Sequence, residues 1–132
     1  MRNKKRCGEA VTSRRIKWIT ENKHVILSLD FTDLYEEKFI TEINKLRQFL
    51  QQTEKTDMLA LIDLNNSFLN TQVFDAVKNT AKLANIKVKK AAIIGSTPVQ
   101  KTFIKILKTI SHIRFNTFKT RKQAIHWLTK EQ

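Results

Sequence analysis

The chain has 132 residues, 41% of them hydrophobic, and a formal net charge of +13 from 25 Lys/Arg against 12 Asp/Glu. That length suits one domain of about 100–150 residues. With two glycines and one proline, a collagen-like, disordered or turn-rich all-β chain is excluded, and Gly8 and Gly95 alone can write neither a GxGxxG fingerprint nor a Walker loop.

Residues 1–14 show no apolar periodicity and read as a mobile basic arm, leaving 15–132 as a single domain. Met1 to Arg6 are like the charged start of a signal peptide, but the apolar run of about 7–15 residues that should follow is missing. No stretch reaches the roughly 18–20 apolar residues of a membrane-spanning helix. The lone Cys7 cannot close an intramolecular disulfide. A cytoplasmic protein is the expectation.

Ile16–Thr20 reads as a short strand, turning through Glu21-Asn22-Lys23 into a second over His24–Phe31. In the second, Val25, Leu27, Leu29 and Phe31 alternate onto one face, so the two predict an antiparallel hairpin. The period then changes. Phe39, Ile43, Leu46 and Leu50 mark one stripe of an amphipathic helix over about 34–52. Met58–Leu64 is a continuous apolar run, the pattern of a central strand covered on both faces. Val73, Val77, Thr80 and Ala84 mark a second helix, and Ala91–Gly95 another buried strand. Pro98 suits the first position of a third helix with Thr97 as its N-cap. Ile113–Phe118 alternates with polar residues, as a strand near an edge does, and Thr120 caps a last helix through Leu128. The order β-β-α-β-α-β-α-β-α predicts an α/β fold, a single mixed and mostly parallel sheet of about five strands flanked by helices.

Three segments resemble a known family. Val88-Lys-Lys-Ala-Ala-Ile-Ile-Gly95 followed by Val99-Gln-Lys101 is similar to the strand-and-helix junction of STAS-like domains, in the SpoIIAA-like branch often labelled STAS/SEC14. Phe118-Lys-Thr-Arg-Lys-Gln-Ala-Ile-His-Trp-Leu128 resembles that branch's closing F-x-T-x-x-x-A-x-x-W-L pattern, and Leu61–Leu64 with the polar turn after it resembles its second strand and loop. The likeness spans residues 16–130 and departs at Pro98, where relatives commonly carry a second glycine. It implies a STAS/SpoIIAA-like sheet and a role without catalysis. Some STAS domains are anti-sigma antagonists switched by Ser/Thr phosphorylation; others bind nucleotides or sit on transporters.

Ligands of α/β sheets favour the carboxyl ends of the strands, which here supply Asp30, Asp63, Asn65, Ser96 and Thr97 as a candidate pocket. The same residue types close turns and cap helices. The resemblance makes Ser67 or Thr71 the candidate phospho-acceptor, lying after the Met58–Leu64 strand at the start of the next helix, where a helix N-terminus favours phosphate. On the third helix, Lys101, Lys105, Lys108 and His112 fall within an arc of about 60° opposite Val99, Phe103, Ile106 and Ile110. Lys78 and Lys82 form a second row on the preceding helix, with Lys87, Lys89 and Lys90 after it. Merged, these form a candidate anion-binding face, whose binding would be backbone-directed and salt-sensitive because Phe103 and Phe115 read as buried.

His24, His112 and His126 are scattered, so no metal site, cofactor or catalytic residue is expected. An enzyme built on Asp30 and Asp63 would need both carboxylates together in a pocket. The expected function is a non-enzymatic regulatory or protein-interaction module, with a protein partner or a second copy of the chain. The alternative is a binder of an anionic lipid headgroup, nucleotide or nucleic acid through the lysine face.

Overall fold

A computed structural model describes residues 14–130; the basic arm, Cys7 included, lies almost wholly outside the described residues. Among the described residues nine elements follow in chain order: β1 (Ile16–Glu21), β2 (His24–Asp30), α1 (Glu36–Gln52), β3 (Met58–Asp63), α2 (Thr71–Ala84), β4 (Val88–Ile94), α3 (Pro98–Ile110), β5 (Arg114–Phe118) and α4 (Arg121–Thr129). They build one five-stranded sheet in the order β1-β2-β3-β4-β5. β1 runs antiparallel to β2, with Ile16 opposite Leu29 and Glu21 opposite His24. Every other neighbouring pair is parallel, as crossover helices require.

The sheet has a helical layer on each face. On one, Leu27 and Leu29 of β2, Ala60 of β3 and Ala91 and Ile93 of β4 meet Phe39, Ile43 and Leu50 of α1, Val73 of α2 and Ile104 of α3. On the other, Ile26, Leu61, Ala92 and Ile94 meet Ala124 and Leu128 of α4, with Trp127 half-buried and 5.5 Å from the Phe118 ring. This double cover corrects the one-sided reading of His24–Phe31. β2 lies second in the sheet, so Ile26 and Ser28 are buried on one face while Leu27 and Leu29 are buried on the other. Val25, at the open end of the strand, is exposed instead.

Local signals hold at the helix starts. The Asn70 carboxamide accepts from Val73 N at the start of α2, the Thr120 hydroxyl from Gln123 N at the start of α4, and Thr97 with Gln100 forms a capping box ahead of Pro98. At the far end of α1, the Lys87 ammonium donates to the carbonyls of Leu50 and Thr53. A cation there satisfies orphan carbonyls and complements the helix dipole.

The sharpest departure from expectation is the setting of α3. The apolar stripe Val99, Phe103, Ile106 and Ile110 does not face the sheet. Val99, Ile106 and Ile110 are exposed and Phe103 is half-buried, while Gln100, Ile104 and Leu107 are buried. The buried arc is therefore turned by about 100° from the stripe. The cause is Gln100, whose side chain is held inside the protein by the loop after β3. Phe115 is likewise half-buried rather than enclosed.

Candidate functional site

The parallel strands end together, and their loops are laced to one another. Phe31 N donates to the Asp63 carbonyl at 3.0 Å and Leu64 N to the Ile94 carbonyl at 2.8 Å. The loops after β2 and β3 are stitched by Asp33 N to Asn65 O at 3.2 Å, Phe68 N to Leu34 O at 2.9 Å and Asn66 Nδ2 to Asp33 Oδ1 at 2.6 Å. Asp33 and Asn66 both have φ near +60°, a region that Asx residues enter more readily than other side chains do. Gly95, at φ +80°, closes the turn after β4; a Cβ there would lie 2.5 Å from Asn65 Cγ. Only glycine fits against that carboxamide.

Of the candidate pocket residues, Asp30, Asp63, Asn65 and Thr97 are engaged in hydrogen bonds within their own turns. Register makes Asp30 and Asp63 neighbours on β2 and β3, so the two acids do lie side by side. Each is engaged locally. Asp30 Oδ1 accepts from Thr32 Oγ1 at 2.6 Å and Thr32 N at 3.1 Å, with Arg15 Nη1 at 3.6 Å. Asp63 Oδ1 accepts from Asn65 N at 2.9 Å and Asn65 Nδ2 at 2.8 Å. Burial disfavours the charged form of Asp30, but the two Thr32 hydrogen bonds and the charges of Arg15 and Lys17 outweigh it and hold the carboxyl below its ordinary pKa. Ser96 is half-buried. Thr97 is committed to α3, its hydroxyl accepting from Gln100 N at 3.2 Å and its amide donating to Gln100 Oε1 at 2.8 Å.

The two phospho-acceptor candidates differ sharply. Ser67 is 2% exposed, and its hydroxyl donates to the Leu64 carbonyl at 2.7 Å. Gln100, itself 1% exposed, donates Nε2 to the Ser67 carbonyl at 2.9 Å. Thr71 is exposed at the first position of α2. What sequence reasoning missed is the apolar rim beside these loops. Tyr35 and Phe68 are half or more exposed and share a shallow depression with Glu36, Leu69 and Asn70. A large aromatic between two polar loop segments, as in Asn65-Asn-Ser-Phe-Leu-Asn70, was the signal available.

The lysine groups are not brought into one patch. Lys101, Lys105 and Lys108 are exposed on α3, while His112, expected on the same helix, is exposed just beyond its end, its amide donating to Asn85 Oδ1. Phe103, on the opposite side of that helix, stacks on Phe74 of α2 with ring centroids 4.3 Å apart, so the row points away from Lys78 and Lys82. Lys78 pairs with Asp75 at 3.3 Å and lies over the Phe74 ring. Lys87 caps α1, and Lys90 is buried with its ammonium 3.2 Å from the Trp127 carbonyl. Among the described residues no group of three His, Cys, Asp or Glu side chains could hold a metal ion, and no helix is long and apolar enough to cross a membrane.

No family model and no curated protein matches the chain. Solved structures do. An uncharacterised DUF3478-family protein with a SpoIIAA-like fold from Shewanella loihica PV-4 superposes with TM-score 0.66 at 19% identity, over 86% of this chain and 91% of that one. An anti-sigma-factor antagonist (STAS) domain protein from Planctomyces limnophilus superposes with TM-score 0.57 at 14% identity, over 87% of this chain and 98% of that one. With its antiparallel first pair, parallel remainder and helices on both faces, the chain has the SpoIIAA-like fold of these structures.

Proposed function

We propose that this domain is a non-enzymatic regulatory module whose protein partner docks on the rim made by the 31–35 and 64–71 loops. The observation that carries this reading is the exposure of Phe68, at 64%, beside Tyr35, at 50%, on loops whose backbones are hydrogen-bonded to each other. Exposed aromatics on a preorganised backbone are what protein interfaces use as anchors. The acids at the strand ends already serve as acceptors within their own turns, which leaves binding as the better-supported use of this end of the sheet. The described antagonist role of the Planctomyces limnophilus neighbour fits a domain of this kind.

A photo-crosslinking residue at position 68 should capture one partner, or a second copy of this chain, that the same residue at the distant Ile86 does not. Tyr35→Asp, made in the chain that carries the crosslinker at 68, should abolish the capture while leaving the fold intact by circular dichroism. Equal capture from both positions ends the reading.

A second reading rests on α3. Val99, Ile106 and Ile110 are exposed along the same helix as Lys101, Lys105 and Lys108, a pattern that suits an anionic lipid surface. Flotation with phosphatidylglycerol vesicles should then fall steeply with added salt, and with Lys101, Lys105 and Lys108 changed to Glu. Flotation unaffected by either change excludes it.

A further inference from the structure

We infer that the outer edge of β5, with the groove between β5 and α4, is a docking site for an acidic segment of a partner protein, which joins the sheet there as an added strand. β5 ends the sheet, and among the described residues its backbone pairs with β4 alone. The Thr117 amide donates to the neighbouring Asn116 Oδ1 at 2.9 Å, a local bond of the kind an outward-facing amide makes. Backbone polar groups alternate in direction along a strand, so Phe115 and Thr117 present theirs to that edge. An unpaired strand edge is a template for another chain.

Charge selects what the edge takes. From Ala76 to Lys130 the chain holds no Asp or Glu. Arg114, Lys119, Arg121, Lys122 and Lys130 are exposed, and among the described residues none of them pairs with a carboxylate. Lys119, Lys122, His126 and Lys130 line the groove over Phe118 and Trp127, half-buried rings 5.5 Å apart, and no acid joins them. β1, at the opposite edge, instead mixes Lys17 with Glu21. The cations around β5 repel the β5 of a second copy, as like charges across strands do, and draw an acidic strand.

The two faces of the sheet set the pattern of that strand. Asn116 and Phe118 sit opposite Ala92 and Ile94 on the α4 face, whereas Phe115 packs in the other layer with Phe103. Strand side chains alternate between faces. Acids at every second position then lie beside Lys122 and Lys130, and the aliphatic residues between them beside Phe115. A single-stranded nucleic acid would use the same cations and rings, but it would leave the edge amides of β5 unused. The groove shares no residue with the rim of Tyr35 and Phe68, so the two proposals stand or fall separately.

A fluorescein-labelled Glu-Val-Glu-Val-Glu peptide is the probe, titrated into the full chain by fluorescence anisotropy, with Lys-Val-Lys-Val-Lys as control. The acidic peptide should bind and the basic one should not. On the wild-type chain, amide exchange at Phe115 and Thr117 should slow when the acidic peptide is present. Lys122→Glu with Lys130→Glu should weaken binding about tenfold or more, two attractions having become repulsions. Thr117→Pro, tolerated in an edge strand where the amide faces outward, should abolish binding, and the wild-type exchange decides the matter if that variant does not fold. Four results overturn the proposal: no binding of the acidic peptide, binding without added protection at Phe115 and Thr117, affinity unmoved by the two charge reversals, or a uridine oligonucleotide that displaces the peptide and binds more tightly, which would make the groove a nucleic-acid site.

Discussion

The Gln100 carboxamide reaches from the first turn of α3 to the Ser67 carbonyl at 2.9 Å, and in doing so joins the loop after β3 to the helix after β4. Its other end accepts from Thr97 N at 2.8 Å. One buried side chain thus completes a capping box and anchors the loop bearing Phe68. Gln100→Leu would leave the Ser67 carbonyl and the Thr97 amide without these partners. Two such losses cost about 2–4 kcal/mol. Urea unfolding should report that loss, and amide exchange should show Asn65–Asn70 opening faster than the sheet. A Gln100→Leu variant with wild-type stability and protection would remove the anchoring role.

Lys90 owes its position to an irregularity in the sheet. Met58 pairs with Val88 but Leu59 with Lys90, so β4 bulges at Lys89 and turns Lys90 onto the α4 face. There its ammonium meets the Trp127 carbonyl and lies 5.1 Å from the centre of the Trp127 ring. Truncation to Ala would leave a hole under α4 and cost about 2–4 kcal/mol. Lys90→Met keeps the stem and removes the charge, and apolar replacement of a buried ionic group is often near neutral. Chemical denaturation should rank the wild type and Lys90→Met close together, well above Lys90→Ala. The reverse order for Met and Ala would refute the packing account.

How far the sequence reveals this molecule follows from the range of each signal. Strand and helix periods, the Thr97 and Thr120 caps, Pro98 and the parallel order are local, and all are legible. The orientation of α3 is not, because it is set by Gln100 meeting a loop 33 residues earlier. On periodicity alone the stripe Val99, Phe103, Ile106 and Ile110 has the better claim to the core, and the long-range hydrogen bond overrides it. The same limit separates Lys87 and Lys90 from the surface lysines. Their partners, the end of α1 and the Trp127 carbonyl, are distant in sequence. Of the candidate site, the polar turn residues were visible and the aromatic rim was not, since the hydrogen bonds that hold Phe68 outward run to Leu34.

Asp30 gives a pH signature with a defined sign. Its folded pKa is lowered despite the opposing effect of burial, because Thr32 donates twice and Arg15 and Lys17 are near. A depressed carboxylate contributes stability above the unfolded value of about 3.9 and loses it as pH falls through the folded value. The side chain is half exposed, so the contribution is small, as for surface pairs generally. Carboxyl-detected NMR should find Asp30 titrating below its ordinary value. Thr32→Val, which removes the 2.6 Å hydroxyl bond, should move it upward. If Thr32→Val leaves the Asp30 titration where it was, that hydrogen bond does not set it.

Phosphate would act very differently at Ser67 and at Thr71. Ser67 donates to the Leu64 carbonyl inside the protein, beneath Gln100. A charge there is desolvated and displaces that amide, so Ser67→Glu should destabilise by about 3 kcal/mol or more. Thr71 is exposed at the first turn of α2, which lacks an acidic residue. A negative charge at that end meets the helix dipole, so Thr71→Glu should be neutral or stabilising by about 0.3–1 kcal/mol. Urea midpoints of the two variants test the contrast, and a kinase acting on the folded domain should modify Thr71 while sparing Ser67. Modification of Ser67 at comparable rates would mean that the Gln100 clamp opens readily in solution, and the rim would then be a moving surface.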